Sequence, residues 1–299
     1  MKSKINIHFI YILLSAIFWG IAGIFVRTLN TELSPMGIVF GRSFFTAIIL
    51  GAVILLKDKS LFKIKFSDLH LFIGCALFSI LLFNFSYYKT MSLTSLSVAA
   101  VLLYTAPFFV VIISAFLFGE RFNFRKIIAC ITAFVGCMFV SGVFDSQNRI
   151  TLPALVFGLL TGFGYALYTI FSRLLIDKGY NTFTITFYTF LFSAIACCFL
   201  NNVAVTFALT FSSFKIFITI VLMAILNTVI PYVLYTKGLL GVQASSAPII
   251  ATIEPVVATL TGAVIYKETL GFSGAFGILL VLGSVIILNL KVKTNENKG

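Results

Sequence analysis

Apolar residues follow one another along almost the whole chain, in long runs that short polar segments separate. The runs are about 20 residues long, the length that an α-helix needs to cross the hydrocarbon core of a membrane, about 30 Å. Cutting the sequence at charged and turn-forming residues gives ten such runs, here called spans 1 to 10. Their predicted bounds are 7–27, 35–56, 69–88, 95–118, 125–142, 153–173, 183–200, 214–235, 243–265 and 271–290.

Lipid offers no hydrogen-bonding partner to exposed backbone groups, so each span is expected to be a helix. The predicted fold class is an all-α integral membrane protein with ten transmembrane helices. Composition agrees, because the 299 residues are 60% hydrophobic and only 10% charged, whereas soluble domains are about 25% charged. A soluble enzyme, a nucleic-acid-binding protein and a disordered chain are therefore excluded.

The basic residues indicate an orientation. An even number of spans places both termini on one side, and that side carries fifteen Lys and Arg against five on the other. Cytoplasmic segments of membrane proteins carry such an excess. We therefore predict a multi-pass protein of the bacterial plasma membrane with both termini in the cytoplasm.

The chain also repeats itself. Two sets of Lys, Pro and Glu recur with the same separations of 18 and 13 residues, first as Lys89, Pro107 and Glu120, then as Lys237, Pro255 and Glu268. Each copy holds five spans, an odd number, so the second copy must cross the membrane in the opposite sense. We predict a first five-helix repeat over 1–143, a linker over 144–152, a second, inverted repeat over 153–290 and a cytoplasmic tail over 291–299. Inverted repeats are an architecture of secondary transporters.

Several local motifs accompany the repeat. They are Trp19-Gly20 in span 1, Arg42 in span 2, and the paired segments Pro107–Glu120 and Glu254–Glu268. With these motifs the sequence resembles the EamA-type transporters of the drug/metabolite transporter (DMT) superfamily, over essentially the whole chain. The resemblance implies a carrier for a small metabolite, and it implies that spans 1, 3, 4, 6, 8 and 9 line a central cavity.

Polar and aromatic side chains within these spans form the predicted substrate-binding cavity. Asn84 and Tyr88 lie four residues apart, and Tyr165 and Tyr168 three apart, so each pair shares one helix face. The alternatives are membrane-interface anchoring or helix–helix hydrogen bonding for the tyrosines, and ordinary packing for the tryptophan. The candidates are Trp19, Asn84, Tyr88, Tyr104, Tyr165, Tyr168, Asn227 and Glu254.

Arg42 and Glu254 are charged residues within spans, where a charge costs roughly 2.5–3.5 kcal/mol at the helix centre. Such residues usually pair or bind. For Arg42 the alternatives are a structural role, substrate contact and charge pairing with Glu254. For Glu254 they are recognition of a substrate amino group, proton coupling and capping of a kinked helix.

Pro107, Pro231 and Pro255 predict helix breaks, because proline frees the carbonyl group four residues earlier. These carbonyl groups could accept hydrogen bonds from a substrate, or the prolines could only kink the helices for packing.

The sequence contains none of the motifs that define a pump or an intramembrane enzyme. There is no GxxxxGK[ST] phosphate loop for a pump, and no HExxH, GxSxG or intramembrane aspartate pair for an enzyme. We predict no catalytic residues, cofactor or metal site, and the five cysteines are interpreted as small buried hydrophobic residues. The expected partners are a small-molecule substrate, the lipid bilayer and, if transport is coupled to a pH gradient, protons. Nucleic acid is excluded, and a homodimer is left open.

The predicted function is secondary transport of a small organic metabolite, an amino acid or related compound, across the plasma membrane by alternating access. The alternative is a membrane receptor or scaffold that binds a small metabolite without transporting it.

Overall fold

The computed structural model describes residues 6–121, 123–145, 150–267 and 271–289, and every regular element in these ranges is a helix. Some predicted features lie outside the described residues. These are Lys2 and Lys4 at the N-terminus, residues 146–149 of the linker, Glu268 and the tail 291–299.

Seven helices are long and apolar enough to cross a membrane. They are Ile7–Leu29 (span 1), Pro35–Lys57 (span 2), Phe66–Leu93 (span 3), Leu96–Phe118 (span 4), Leu152–Asp177 (span 6), Phe214–Gly238 (span 8) and Ala247–Tyr266 (span 9). The other three predicted spans correspond to the shorter helices Phe124–Val140 (span 5), Thr182–Cys197 (span 7) and Phe272–Asn289 (span 10). An all-helical, multi-pass membrane protein is thus confirmed, while ten crossings stay a prediction.

One helix was not expected. Residues Val203–Ser212 form a short apolar helix between spans 7 and 8, where the charge and turn pattern predicted only a connecting segment. The Asn202 side chain caps its N-terminus by accepting a hydrogen bond from the backbone N–H of Val205. The segment is apolar, but ten residues are too few to cross a membrane. It was therefore not among the ten predicted spans.

Helix irregularities recur in the two halves with the sequence offset of 148. A π-helical turn covers Cys75–Leu81 in span 3, and another covers Ala224–Val229 in span 8. The helix is interrupted at Tyr104 in span 4 and at Thr252 in span 9. These two interruptions precede Pro107 and Pro255, and the second π turn precedes Pro231.

The ends of spans 4 and 9 match as well. Span 4 ends at Gly119 with φ of 62°, and span 9 ends at Lys267 with φ of 56°, both in the left-handed region. Lysine rarely adopts this conformation. Its presence at the position that corresponds to a glycine shows that the second half repeats the backbone of the first.

The two halves are interleaved. Span 1 packs on spans 8 and 9, and span 6 packs in the same manner on spans 3 and 4. Span 2 pairs with span 7, and span 5 pairs with span 10. Each half therefore completes the core of the other, and the six helices that the resemblance assigns to a cavity contact one another across the halves.

Four of the five cysteines are buried and all five are free. The prediction that all five are buried is wrong for Cys198, which is exposed. The helix of span 7 ends at Cys197, so Cys198 lies in the following turn instead of inside the span.

Candidate substrate-binding site

Five aromatic rings from spans 1, 6 and 8 meet at the centre of the interleaved helices. The indole of Trp19 contacts Tyr232 at 5.2 Å and Tyr235 at 5.3 Å between ring centroids, and Tyr165 at 6.0 Å. Tyr168 contacts Tyr232 at 4.8 Å with the ring planes nearly perpendicular. Edge-to-face contacts of this kind are favoured by the charge distribution of aromatic rings. We call these five residues the aromatic cage.

Hydrogen bonds fix two of the cage tyrosines between spans 6 and 8. The hydroxyl group of Tyr168 lies 2.9 Å from that of Thr236, and the hydroxyl group of Tyr235 lies 2.7 Å from that of Thr169. All four side chains are buried. Because these hydroxyl groups are already paired, it is the aromatic rings of the two tyrosines that are available to contact a ligand.

Glu254 lies beside the cage, just after the interruption of span 9. It is in the first turn of helix Ile253–Tyr266, where the helix dipole favours a negative charge. Its Oε2 atom is buried and has no hydrogen-bond partner. The carboxyl group is close enough to interact electrostatically with Tyr87, Tyr104 and Tyr165.

Tyr104 occupies the matching interruption in span 4. It is buried, and it packs in one cluster with Tyr165 and the Phe83 ring. The structure thus brings together Trp19, Tyr104, Tyr165, Tyr168 and Glu254 from the predicted set.

Arg42 projects from span 2 toward span 3 and is 7% exposed. Its Nη2 atom donates to Oδ1 of Asn84 at 3.2 Å, and Nδ2 of Asn84 donates to the Ile80 carbonyl at 2.7 Å. Arg42 also lies close enough to Tyr232 of the cage for electrostatic interaction. It forms no ion pair with Glu254 in this conformation, in which its hydrogen bond goes to Asn84.

Asn227 is buried next to the cage, but its amide group binds backbone. Nδ2 donates to the carbonyl groups of Phe18 at 3.0 Å and Trp19 at 3.4 Å, where the helix of span 1 is interrupted at Ile21. Asn227 therefore positions span 1 and with it the indole of Trp19.

The centre of the cage is almost filled by its own side chains. The remaining cavity is about 10 Å³, lined by the cage together with Ser79, Ile80, Phe83 and Thr169. A volume of about 10–15 Å³ holds a single water molecule. A metabolite can enter only if the surrounding helices move.

A larger pocket of about 630 Å³ opens at the end of the bundle where spans 1 and 2 are joined. Its walls come from the segment between spans 1 and 2, the end of span 3 and the short helix Val203–Ser212, and it includes Tyr88, Lys89 and Asn201. We call this pocket the vestibule. Tyr88 thus lies in the vestibule wall and not in the cage.

The opposite end is closed by the segment that joins spans 8 and 9. Glu120 accepts hydrogen bonds from the backbone N–H of Ala244 at 2.8 Å and from the N–H and hydroxyl groups of Ser245. Lys126 forms an ion pair with Glu120 at 3.3 Å and donates to Ser245 at 2.6 Å. Arg173 of span 6 donates to the Leu239 carbonyl at 3.1 Å. We call the contacts among Glu120, Lys126 and Ser245 the span 8–9 lock.

The sequence-based site omitted Tyr232 and Tyr235, which are two of the five cage residues. A signal was present, because Tyr235 matches Tyr87 at the offset of 148 and lies three residues after Tyr232 on one helix face. Near the end of a predicted span, tyrosines look like interface anchors, and only the packing of span 8 against span 1 distinguishes the two roles.

An aromatic site between two interleaved helical repeats is typical of a membrane carrier. Residues 6–142 and 152–290 each match the model of the EamA-like transporter family. The protein therefore belongs to the EamA-like transporter family, within the DMT superfamily, and it is a small-molecule transporter of the membrane and not an enzyme.

Relatives of similar length carry transporter names. An uncharacterized transporter of Archaeoglobus fulgidus is 28% identical over 280 residues, which cover 92% of this chain and 94% of that protein. The uncharacterized transporter YwfM of Bacillus subtilis is 27% identical, with 98% of each chain covered. A protein named S-adenosylmethionine uptake transporter, from Rickettsia prowazekii, is 20% identical over 93% of this chain and 90% of its own.

A solved crystal structure shares the fold. It superposes with a TM-score of 0.78 at 16% sequence identity and covers 94% of this chain and 96% of its own length.

Proposed function

We propose that this protein is a secondary transporter that moves an amino acid or related metabolite across the plasma membrane by alternating access. The observation that carries the proposal is the closed aromatic cage between two interleaved repeats, with the buried, unpartnered Oε2 atom of Glu254 beside it. One relative is named for the uptake of S-adenosylmethionine, a derivative of an amino acid, which supports this substrate class.

Alternating access follows from the way the repeats interlock. The contacts of span 1 with spans 8 and 9 are the counterpart of those of span 6 with spans 3 and 4. In transporters with inverted repeats, alternating access is largely the rocking of one repeat against the other around a fixed site, and these two related sets of contacts support such an exchange here. In the present conformation the span 8–9 lock closes one end, and the vestibule is at the other.

Uptake by the purified protein in liposomes tests transport itself. We expect saturable uptake of at least one amino acid or related metabolite that empty liposomes do not show. A receptor or scaffold would bind its ligand, as measured by thermal shift, but produce no flux. Binding without flux would therefore overturn the transport proposal.

Proton coupling through Glu254 is the second part of the proposal. Glutamine has the size and hydrogen-bonding capacity of glutamate but cannot titrate. We predict that Glu254→Gln folds and still exchanges substrate between the two sides, but loses accumulation driven by a pH gradient. Uptake and exchange in the same proteoliposomes measure both activities.

Glu32→Gln is the matched control, because Glu32 is an exposed carboxylate outside the site. It should keep full pH-driven accumulation. If Glu254→Gln keeps it too, the coupling proposal is wrong. If Glu254→Gln loses substrate binding altogether, Glu254 recognises the substrate directly.

A further inference from the structure

Arg42 is a buried cation that has no counter-ion among the described residues. The ion pairs in that part of the chain are Glu120 with Lys126, Asp177 with Arg173, and Asp68 with Lys178. The guanidinium group carries five N–H donors. Its neighbours are neutral: Nη2 donates to Asn84 and the Tyr232 hydroxyl group lies nearby, while the Nε atom is buried with no partner.

Such an arrangement is unfavourable unless something else binds the guanidinium group. Removing an ion from water costs several kcal/mol after relaxation, and the loss is recovered only when a counter-ion and hydrogen bonds replace the water. Asn84 supplies one neutral acceptor. If Arg42 had only a packing role, an apolar side chain of similar volume would fill the site at a lower free energy.

Arg42 lies between the vestibule and the aromatic cage. Its partner Asn84 lies one helical turn before Tyr88, which lines the vestibule. Asn84 in turn donates to the carbonyl group of Ile80, which lines the cavity of the cage. A molecule that passes from the vestibule into the cage would therefore pass the guanidinium group.

The vestibule suits an anionic molecule. Among the described side chains that line it, Lys89 is the one that carries a charge, and the others are polar or apolar without an acidic group. A pocket with charge of one sign raises the local concentration of ligands of the opposite sign.

Two further polar groups in this region have no partner. Thr46 lies one helical turn beyond Arg42 in span 2, and Thr228 lies in the π turn of span 8, which packs against span 2. The hydroxyl groups of both residues are buried and form no hydrogen bond with the described residues. Buried hydroxyl groups normally have partners, so these two add unpaired hydroxyl groups to the unpaired Nε–H of Arg42 where spans 2 and 8 meet.

We propose that Arg42 binds the carboxylate of the transported substrate, so that the substrate is a carboxylate-bearing metabolite and not a simple amine or a neutral compound. The Nε–H and Nη2–H groups point along one edge of the guanidinium plane and can bind a carboxylate through two parallel hydrogen bonds. Asn84 is the positioning residue, because its own bond to the Ile80 carbonyl directs Oδ1 toward Arg42. This inference rests on the proposed function and names the substrate class of its site.

Binding to the purified protein tests the inference. The probes are the proteinogenic L-amino acids, succinate and benzoate, each compared with its carboxamide, which has a similar shape but no negative charge. Thermal shift in detergent measures binding. We expect at least one carboxylate to raise the melting temperature, and its carboxamide to bind about tenfold more weakly or worse.

Asn84→Asp is the decisive variant. It places a carboxylate of the same shape beside Arg42, so the protein supplies the counter-ion itself. The variant gains an ion pair with Arg42 but loses the donor to the Ile80 carbonyl, so the test is the affinity and not the ligand-free stability. It should lose at least about tenfold in affinity for the carboxylate probe and change little toward its carboxamide. If Arg42 were only structural, the introduced aspartate would pair with it in the same way, but ligand affinity would not change.

Two more variants complete the test. Arg42→Lys keeps the positive charge but cannot form the bidentate pair of hydrogen bonds. It should weaken binding of the carboxylate probe more than binding of its carboxamide. Lys215→Gln removes an exposed positive charge outside the vestibule lining, and should leave binding unchanged. If Arg42→Lys does not fold, the result with Asn84→Asp still decides.

Three outcomes would overturn the inference: equal binding of carboxylates and carboxamides, unchanged affinity in Asn84→Asp, or no binding by any carboxylate probe. Uptake of amines or carboxamides by proteoliposomes in any of these cases would leave the transport proposal standing. Absence of all uptake would instead contradict the proposed function itself.

Discussion

Asn227 is a polar residue beside the cage whose amide group binds backbone. Its amide group donates to the Phe18 and Trp19 carbonyl groups at the point where the helix of span 1 is interrupted. Backbone groups at such an interruption need a partner, because lipid provides none. The adjacent Thr228 is also buried, but its hydroxyl group has no partner among the described residues.

This contrast gives a prediction at the residue scale. Asn227→Ala should lower the free energy of unfolding by about 1–3 kcal/mol, because it removes the hydrogen bonds to the Phe18 and Trp19 carbonyl groups at the interruption. Thr228→Val deletes an unpaired hydroxyl group at nearly constant shape, and should leave the ligand-free stability unchanged or higher. Thermal unfolding in detergent measures both. Equal destabilisation by the two variants would contradict the role assigned to Asn227.

At the scale of elements, the site depends on the close approach of interrupted helices. Span 1 meets span 9 at Gly20, where an added Cβ atom would lie 2.5 Å from Cβ of Val257 and 2.8 Å from the Glu254 carbonyl oxygen. Span 6 meets the interruption of span 4 at Gly162, where a Cβ atom would lie 2.9 Å from the Leu102 carbonyl oxygen. Glycine therefore sets the distance between helices on each side of the cage.

We predict that Gly20→Ala separates spans 1 and 9, lowers stability by about 1–3 kcal/mol and reduces transport, because overpacking displaces backbone. Gly23→Ala is the matched control on the same span, since nothing lies within 4 Å of an added Cβ atom there. It should keep transport and gain stability, because alanine favours helix over glycine by about 1 kcal/mol. Thermal unfolding and proteoliposome uptake test the pair, and similar effects of both changes would refute the close-approach argument.

At the scale of the whole molecule, the two ends of the bundle differ. The span 8–9 lock and the Arg173 contact hold one end closed, while the vestibule of about 630 Å³ occupies the other. For alternating access, the contacts of the lock have to break when the closed end opens.

Glu120→Gln should therefore favour opening at the locked end. The amide group replaces the charge-assisted contacts with Lys126 and Ser245 by weaker ones. A cysteine introduced as Tyr104→Cys, with Cys198→Ser as background, should become labelled faster from the locked end than in the protein with Glu120. A cysteine introduced as Ile131→Cys, on the exposed face of span 5, should not respond. Unchanged labelling at Tyr104→Cys would show that the lock does not control access.

The orientation of the whole molecule is a separate prediction, from the excess of basic residues on one side. A reporter fused after Gly299 should be cytoplasmic, and a tag inserted within Phe144–Ile150 should be accessible from outside the cell. Protease protection and impermeant antibodies measure the two positions. The reverse result would contradict the predicted orientation. A tag and a reporter on the same side would contradict the inverted repeat, since five crossings in each half place them on opposite sides.

The sequence by itself determined the class of fold, and it predicted the repeat and the residues of a candidate site. Runs of about 20 apolar residues have one stable form in lipid, and the recurrence of Lys, Pro and Glu at an offset of 148 matches the paired irregularities of spans 3, 4, 8 and 9. Tyr165 and Tyr168 were predicted because their spacing along a helix defines a shared face, and Trp19 because its indole is an amphipathic wall for an organic substrate.

Only the tertiary structure decided which tyrosines form the cage, that Tyr88 lies in the vestibule, and that Asn227 binds backbone. Only it showed Arg42 bonded to Asn84, with no ion pair to Glu254. The physical reason is that lipid and the protein interior are both apolar. Hydrophobic periodicity therefore marks where a helix is polar, but it does not show which neighbouring helix that polar face meets.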